Sequence, residues 1–199
     1  MIGDDTSPPG WLQRTGDDGL GCYVHLPFCD RICPYCDFAV VRFHEQRVAR
    51  YLTALHSEIV AQRAEARPLQ TIYFGGGTPS ALRPQHIGAL VAALRAVFHT
   101  PFDACEVTLE ANPSRNVEAL PLWRAHGINR LSIGVQSFND AELHALGRDH
   151  SGAQAQAFVA AARAAGFANI SLDLIAAAPG QTPVSLRASL HQAVSCGVD

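Results

Sequence analysis

Short, mostly apolar runs alternate along this chain with longer stretches in which apolar residues recur every third or fourth position. The first pattern predicts buried strands and the second amphipathic helices. Cys22–Leu26 is the first such run; Val48, Tyr51, Leu52, Leu55 and Ile59 then recur at helical spacing, and Thr71–Phe74 forms a second β-type run closed by Gly75-Gly76-Gly77. Ile87, Leu90, Val91, Leu94 and Val97 mark the next helix, Cys105–Glu110 a third strand, and Val117–His126 a helix ended by Gly127. Arg130–Gln136 reads as a fourth strand, Ala155–Ala165 as a helix capped by Gly166, Asn169–Ile175 as a fifth strand, and Pro183–Cys196 as a helix ahead of Gly197. Glycine just past a periodic stretch is a common helix stop, because it accepts the left-handed conformation without a Cβ clash.

Repeated β-α units predict a parallel sheet covered by helices, and so an α/β barrel or part-barrel. The unusual residues cluster at one place in every unit. Cysteines follow the first strand, glycines the second, Glu110 ends the third, Gln136 ends the fourth and Asp173 lies in the fifth. Parallel β/α barrels build their sites at the C-terminal ends of the strands, so five separate segments are expected to share one rim. Residues 1–21, with Asp4, Asp5, Asp17, Asp18 and Pro8-Pro9-Gly10, read as a flexible leader ahead of a core domain over 22–199.

Composition narrows the function classes. The chain has 199 residues, 48% hydrophobic and 17% charged, as expected for a globular domain. A net charge of −3 offers no basic surplus for nucleic acid or an anionic membrane surface. All 15 basic residues are arginine, so a Schiff-base lysine and a phosphate-loop lysine are both excluded. No signal peptide and no transmembrane-length apolar run occur, which points to the cytoplasm and to reduced thiols for the 6 cysteines.

Three of those cysteines, Cys29, Cys33 and Cys36, stand in the run Tyr23-Val-His-Leu-Pro-Phe-Cys-Asp-Arg-Ile-Cys-Pro-Tyr-Cys-Asp-Phe38. Structural zinc sites normally use four protein ligands, whereas a [4Fe-4S] cube held by three cysteines keeps one iron free. A zinc knuckle completed by His25 or Asp37, or plain buried cysteines, are the alternatives. Gly75-Gly76-Gly77-Thr78-Pro79-Ser80 lacks a phosphate-loop lysine, so its expected use is close backbone approach to a ligand, with an ordinary turn as the alternative. Glu110 could accept ribose hydroxyls at a strand end or be a solvated rim charge. Gln136 is a polar end to an apolar strand, and Arg148 in Leu-Gly-Arg-Asp-His suits a carboxylate. Asp173, within an apolar run, would be costly if buried unpaired, so a partner or ligand is expected. Cys22, Cys105 and Cys196 are isolated and read as core or helix-end residues.

The cysteine spacing resembles the cluster loop of the radical S-adenosylmethionine (SAM) superfamily, and its flanking residues resemble the oxygen-independent coproporphyrinogen III oxidase group within it. The resemblance implies a partial TIM-like (β/α)6 barrel, expected to be truncated after about five β-α units because the chain stops at Cys196-Gly197-Val198-Asp199, where the group's sixth strand begins, with an unpaired fifth strand and a poorly covered last helix. It also implies a [4Fe-4S] cluster on Cys29, Cys33 and Cys36. It implies contacts to one or two SAM molecules from Tyr23, Tyr35, Gly76, Gly77, Thr78, Glu110, Gln136, Arg148 and Asp173. Ala176-Ala177-Ala178 depart from the group's usual aromatic-Gly-Leu ahead of Pro-Gly-Gln-Thr. Cys36 is followed by Asp37-Phe38 where the oxidases place a further cysteine, which resembles the haem-chaperone branch, often called HemW. That branch implies haem as bound cargo, and haem-acceptor proteins as partners, with peripheral association to membrane haemoproteins. Oxidative decarboxylation of coproporphyrinogen is the second function the resemblance implies. No residue is assigned to catalysis.

Overall fold

A computed structural model describes residues 20–65, 67–101, 105–113 and 116–199. The leader expected at 1–21 lies outside the described residues as far as 19, while Leu20 and Gly21 already belong to the first strand. In chain order the elements are β1 (Leu20–Leu26), β2 (Phe28–Cys29), β3 (Val41–Arg42), α1 (Glu45–Ala61), β4 (Leu69–Gly76), α2 (Pro84–Val97), β5 (Glu106–Ala111), α3 (Leu120–Ala125), β6 (Arg130–Gln136), α4 (Asp140–Ala145), α5 (Gly152–Ala164), β7 (Asn169–Leu174) and α6 (Pro183–Ser195). β1, β4, β5, β6 and β7 form one sheet in that order, with every neighbouring pair parallel.

Strand alternation sorts the side chains into two faces. Val24, Leu26, Ile72, Phe74, Val107, Leu109, Leu131, Ile133 and Ile170 are buried in the core with the helices. Tyr23, His25, Tyr73, Glu110, Ser132, Gly134 and Asp173 occupy the alternate positions, so the other face is polar, and its polar side chains gather toward the C-terminal ends.

The boundaries correct the sequence reading where local chemistry intervenes. The helix expected at Val117–His126 splits into a 3-10 turn over Val117–Ala119 and α3, with Pro121 in the first turn, where its missing N–H is not needed. Helix α5 begins three residues earlier than expected, at a capping box in which Ser151 and Gln154 satisfy each other's backbone donors. Helix α4, absent from the periodicity, is started by the Asn139 side chain accepting from the Ala141 and Glu142 amides.

Strand β7 and β1 are the sheet edges. The edge of β7 is not wholly bare: the Asp199 amide donates to Ile170 O at 3.0 Å, and Asp199 Oδ2 accepts from the Ile170 amide at 3.0 Å. Helix α6 buries Ser189 and Ala193 but leaves Val184 79% and Val194 77% exposed.

Candidate metal and cofactor site

The cysteine loop grows out of β1 and is pinned at both ends. β2 and β3 pair in parallel, Phe28 with Val41 and Cys29 with Arg42, which closes residues 30–40 into a loop at the rim of the large sheet. His25 fastens the far end: its Nε2 lies 2.9 Å from Ala39 O, and its Nδ1 lies 3.2 Å from the Tyr23 hydroxyl. Both ring nitrogens are thus engaged, which argues against His25 as a fourth metal ligand. Cys29 is buried while Cys33 and Cys36 are half-buried.

The glycines are explained differently from the expectation. Built on the backbone, a Cβ at Gly77 would stand 2.7 Å from Pro27 C and 2.8 Å from Phe28 O, and one at Gly76 would stand 2.6 Å from the His25 ring. Close approach here is to the chain's own β1–β2 segment, sealed by Gly77 N donating to Leu26 O at 2.9 Å and Thr78 N to Phe28 O at 2.8 Å. Gly76 also has φ +117°, a conformation that other residues rarely adopt.

A cleft of about 400 Å³ opens over this rim, within the range of small-molecule sites. The three loop cysteines line it together with Tyr35, Gly76, Gly77, Thr78, Glu110, Gln136, Arg148 and Asp173, so residues up to 144 positions apart converge as the strand ends required. Tyr23 is the exception. It is 59% exposed, stacks on Tyr73 with ring centroids 6.0 Å apart, and faces a neighbouring pocket along β1 with His25 and Tyr51.

Glu110 accepts from the Tyr73 hydroxyl at 2.9 Å and from the Gly76 amide at 3.2 Å. Burial pushes its carboxyl up, and those two donors oppose the rise. The same burial, with the Glu110 charge beside it, pushes the Tyr73 phenol up to about 12. Asp173 is not buried unpaired: it is exposed to the cleft and takes the Ser132 hydroxyl at 3.2 Å, although partial desolvation still raises its carboxyl. Gln136 ends β6 with φ +67° beside a register shift, a strained conformation for a side chain with a Cβ, and its amide nitrogen crowds Gly134.

Arg148 reaches the cysteines. It donates to Asn112 Oδ1 at 2.6 Å, to Gly134 O at 2.7 Å and to Cys33 Sγ at 3.8 Å. Asn112 in turn donates to the Thr78 hydroxyl at 3.4 Å, and Thr78 donates to Cys29 Sγ at 3.5 Å. Two of the three sulfurs therefore accept hydrogen bonds from one connected network, the kind of contact that stabilises a thiolate and tunes an iron–sulfur group. Burial pushes the Cys29 thiol up and the Thr78 bond opposes it, so a bound cation is what would hold it as thiolate. Among the described residues no three His, Cys, Asp or Glu side chains converge tightly enough to hold one metal ion. The three cysteines do line one cleft from one loop, and two of their sulfurs accept hydrogen bonds, a donor set that fits the wider iron–sulfur cube, whose thiolates bind three different irons.

Sequence reasoning missed Asn112, Ser132 and Tyr73. Asn112 was open to discovery, since it stands two positions after Glu110 and alternation places both on the polar face.

Comparison with known proteins agrees with this geometry: residues 23–193 match the radical SAM superfamily. The chain belongs to that superfamily. Among radical SAM relatives, it is 40% identical over 176 residues to the heme chaperone HemW of Bacillus subtilis, spanning 87% of this chain and 46% of that protein. It is 36% identical to the mitochondrial radical S-adenosyl methionine domain-containing protein 1 of Bos taurus, spanning 89% of this chain and 40% of that one. The solved structure of coproporphyrinogen III oxidase (HemN) from Escherichia coli, described as a radical SAM enzyme, superposes with a TM-score of 0.83 at 34% identity, over 91% of this chain and 42% of that one. The radical SAM chain thus spans about half the length of the relatives it matches. Among the described residues no helix is long and apolar enough to cross a membrane.

Proposed function

We propose that this chain is the cluster- and SAM-binding part of a haem chaperone of the HemW kind, acting in the cytoplasm and passing haem to acceptor proteins. Cys29, Cys33 and Cys36 hold a [4Fe-4S] cluster, and the Thr78 hydroxyl and the Arg148 guanidinium donate to the sulfurs of Cys29 and Cys33. When bound, a cube held by these three cysteines would keep one iron without a protein ligand and so could offer it to the amino and carboxylate groups of SAM. Glu110, Gln136 and Asp173 supply acceptors for hydroxyls and amines along the polar face, Gly76, Gly77 and Thr78 form the backbone wall, and Tyr35 and Arg148 close the cysteine side. Tyr23 acts one step removed, by holding His25 and through it the loop.

The observation that carries the reading is the union of the cysteine loop with eight of the expected SAM contacts in one cleft. The choice of branch rests on Asp37 directly after Cys36, and on the named HemW relatives at 40% identity. HemN keeps the oxidase as a second reading, since its structure shares 34% identity with this chain. The test is anaerobic reconstitution with iron and sulfide, followed by haem binding, SAM binding and coproporphyrinogen turnover. One oxygen-sensitive four-iron cluster, lost in Cys29→Ala, Cys33→Ala or Cys36→Ala, with haem bound and no decarboxylation, is expected. Robust SAM-dependent decarboxylation would restore the oxidase, and an unchanged iron spectrum in the triple alanine variant would remove the cluster.

A further inference from the structure

On the cysteine-loop side, the lining of the cleft is partly apolar. Ile32, Phe38 and Val40 line it, and Phe38 is 72% and Ile32 47% exposed. These side chains are not on a slack segment: the pairing of β2 with β3 and the bond from His25 to Ala39 O fasten the loop on both sides of them. Water-exposed aromatic and aliphatic groups held rigid beside polar ones mark an interaction surface. Arg31 lines the same cleft, exposed, and enters none of the ion pairs among the described residues. A free guanidinium is a planar fork matched to a carboxylate.

From this juxtaposition we infer that the lip docks a tetrapyrrole, with Phe38 and Ile32 against the flat ring and Arg31 on a propionate carboxylate. A tetrapyrrole bearing propionates combines a wide apolar plate with carboxylates at its edge, and the lip presents the complement of both. The inference rests on the haem-handling reading above and adds the place where the macrocycle sits. It also divides the cleft by chemistry. Glu110, Gln136 and Asp173 suit a ligand rich in hydroxyls and amines, while the plate uses apolar side chains of the cysteine loop, so the two ligands need not compete for polar groups.

The test titrates the reconstituted full chain with haem, with coproporphyrin III, and with haem dimethyl ester, whose carboxylates are masked. Each probe is followed by its absorbance in the wild type, in Phe38→Ala and in Arg31→Gln. Both substituted residues are exposed, so folding is little affected, and iron content with SAM affinity within about twofold of wild type verifies this. Phe38→Ala is expected to weaken haem and its ester about tenfold. Arg31→Gln is expected to weaken haem about five- to tenfold and to leave the ester unchanged. Affinity for coproporphyrin alone, with the same dependence on both residues, supports the lip while overturning haem as the cargo. No affinity for any of the three in the wild type overturns the haem-handling reading itself. Tight haem binding untouched by either substitution leaves that reading standing and assigns the lip to packing polypeptide instead, and an Arg31 effect that persists with the ester overturns the carboxylate contact.

Discussion

Replacing Gly77 with alanine adds one methyl group at the tightest backbone contact of the site. That Cβ would stand 2.7 Å from Pro27 C, 2.8 Å from Phe28 O and 2.9 Å from Phe28 N, and all three are main-chain atoms that no rotamer change can move aside. Overpacking of this kind costs about 1–3 kcal/mol. Separation of the segments also weakens the bonds from Gly77 N to Leu26 O and from Thr78 N to Phe28 O, and each such bond contributes about 0.5–1.5 kcal/mol. With the bonds weakened and not lost, the total cost, about 2–4 kcal/mol, is a large part of a typical stability of about 5–15 kcal/mol. Because Phe28 directly precedes Cys29, the displacement is passed to the cysteine loop. Urea unfolding of the cluster-free chain should therefore show a midpoint lowered by about 1–2 M at unchanged slope, and reconstituted protein should hold less iron. Gly166→Ala is the control: nothing lies within 4 Å of the added Cβ, and only its φ of +91° is strained, for about 1 kcal/mol. If Gly77→Ala unfolds no earlier than Gly166→Ala and binds iron fully, the steric argument is wrong.

Glu142 is 2% exposed and accepts from Ser137 Oγ at 2.7 Å and Gln181 Nε2 at 3.0 Å. Burial raises its carboxyl, but these donors and Ser185 outweigh it and hold the group below the usual range. A lowered folded value means stability that is present above the unfolded carboxyl range and lost as pH falls through the folded value. Between about pH 5 and 3 the wild type should lose melting temperature faster than Glu142→Gln; parallel curves would refute the assignment. Arg148→Met should lower stability by about 2–4 kcal/mol by orphaning Asn112 Oδ1 and Gly134 O. Arg148→Lys should recover part of it in the unfolding midpoint, since a single guanidinium nitrogen serves both acceptors and one ammonium can do the same, but it should not restore the bond that the other nitrogen gives Cys33 Sγ; no recovery at all would refute this.

What the sequence made legible was periodic: runs and spacings placed every strand of the large sheet and five of the six helices, and with them the shared rim. Asymmetric, one-residue devices were harder. Helix α4 depends on a single Asn139 side chain, and six residues carry too little periodicity to announce it. The capping box at Ser151 and Gln154 was legible in principle, but the glycine between them resembles a breaker. The crowding of Gly76 and Gly77 by His25 and by Pro27–Phe28 depends on the register of β1 against β4, which hydrophobic pattern alone does not give. Tyr23 is expected in the cleft only through the family resemblance, whereas its place on the edge strand β1 puts it in the next pocket. The exposure of Asp173 follows from its place at the open end of an edge strand, where an apolar run in sequence is not a buried run in space.

The bond from Arg148 to the Cys33 sulfur joins groups 115 residues apart in the chain. A ribosome adding about 5–20 residues per second delivers the arginine roughly 6–23 s after the cysteine. For that interval the nascent loop stands without its longest-range donor, open on the side that Arg148 and the β6–β7 rim later enclose. Metal loading and oxidative damage therefore compete during the same window, and slowing synthesis between the loop and α4 should lengthen the exposure of the thiols to both.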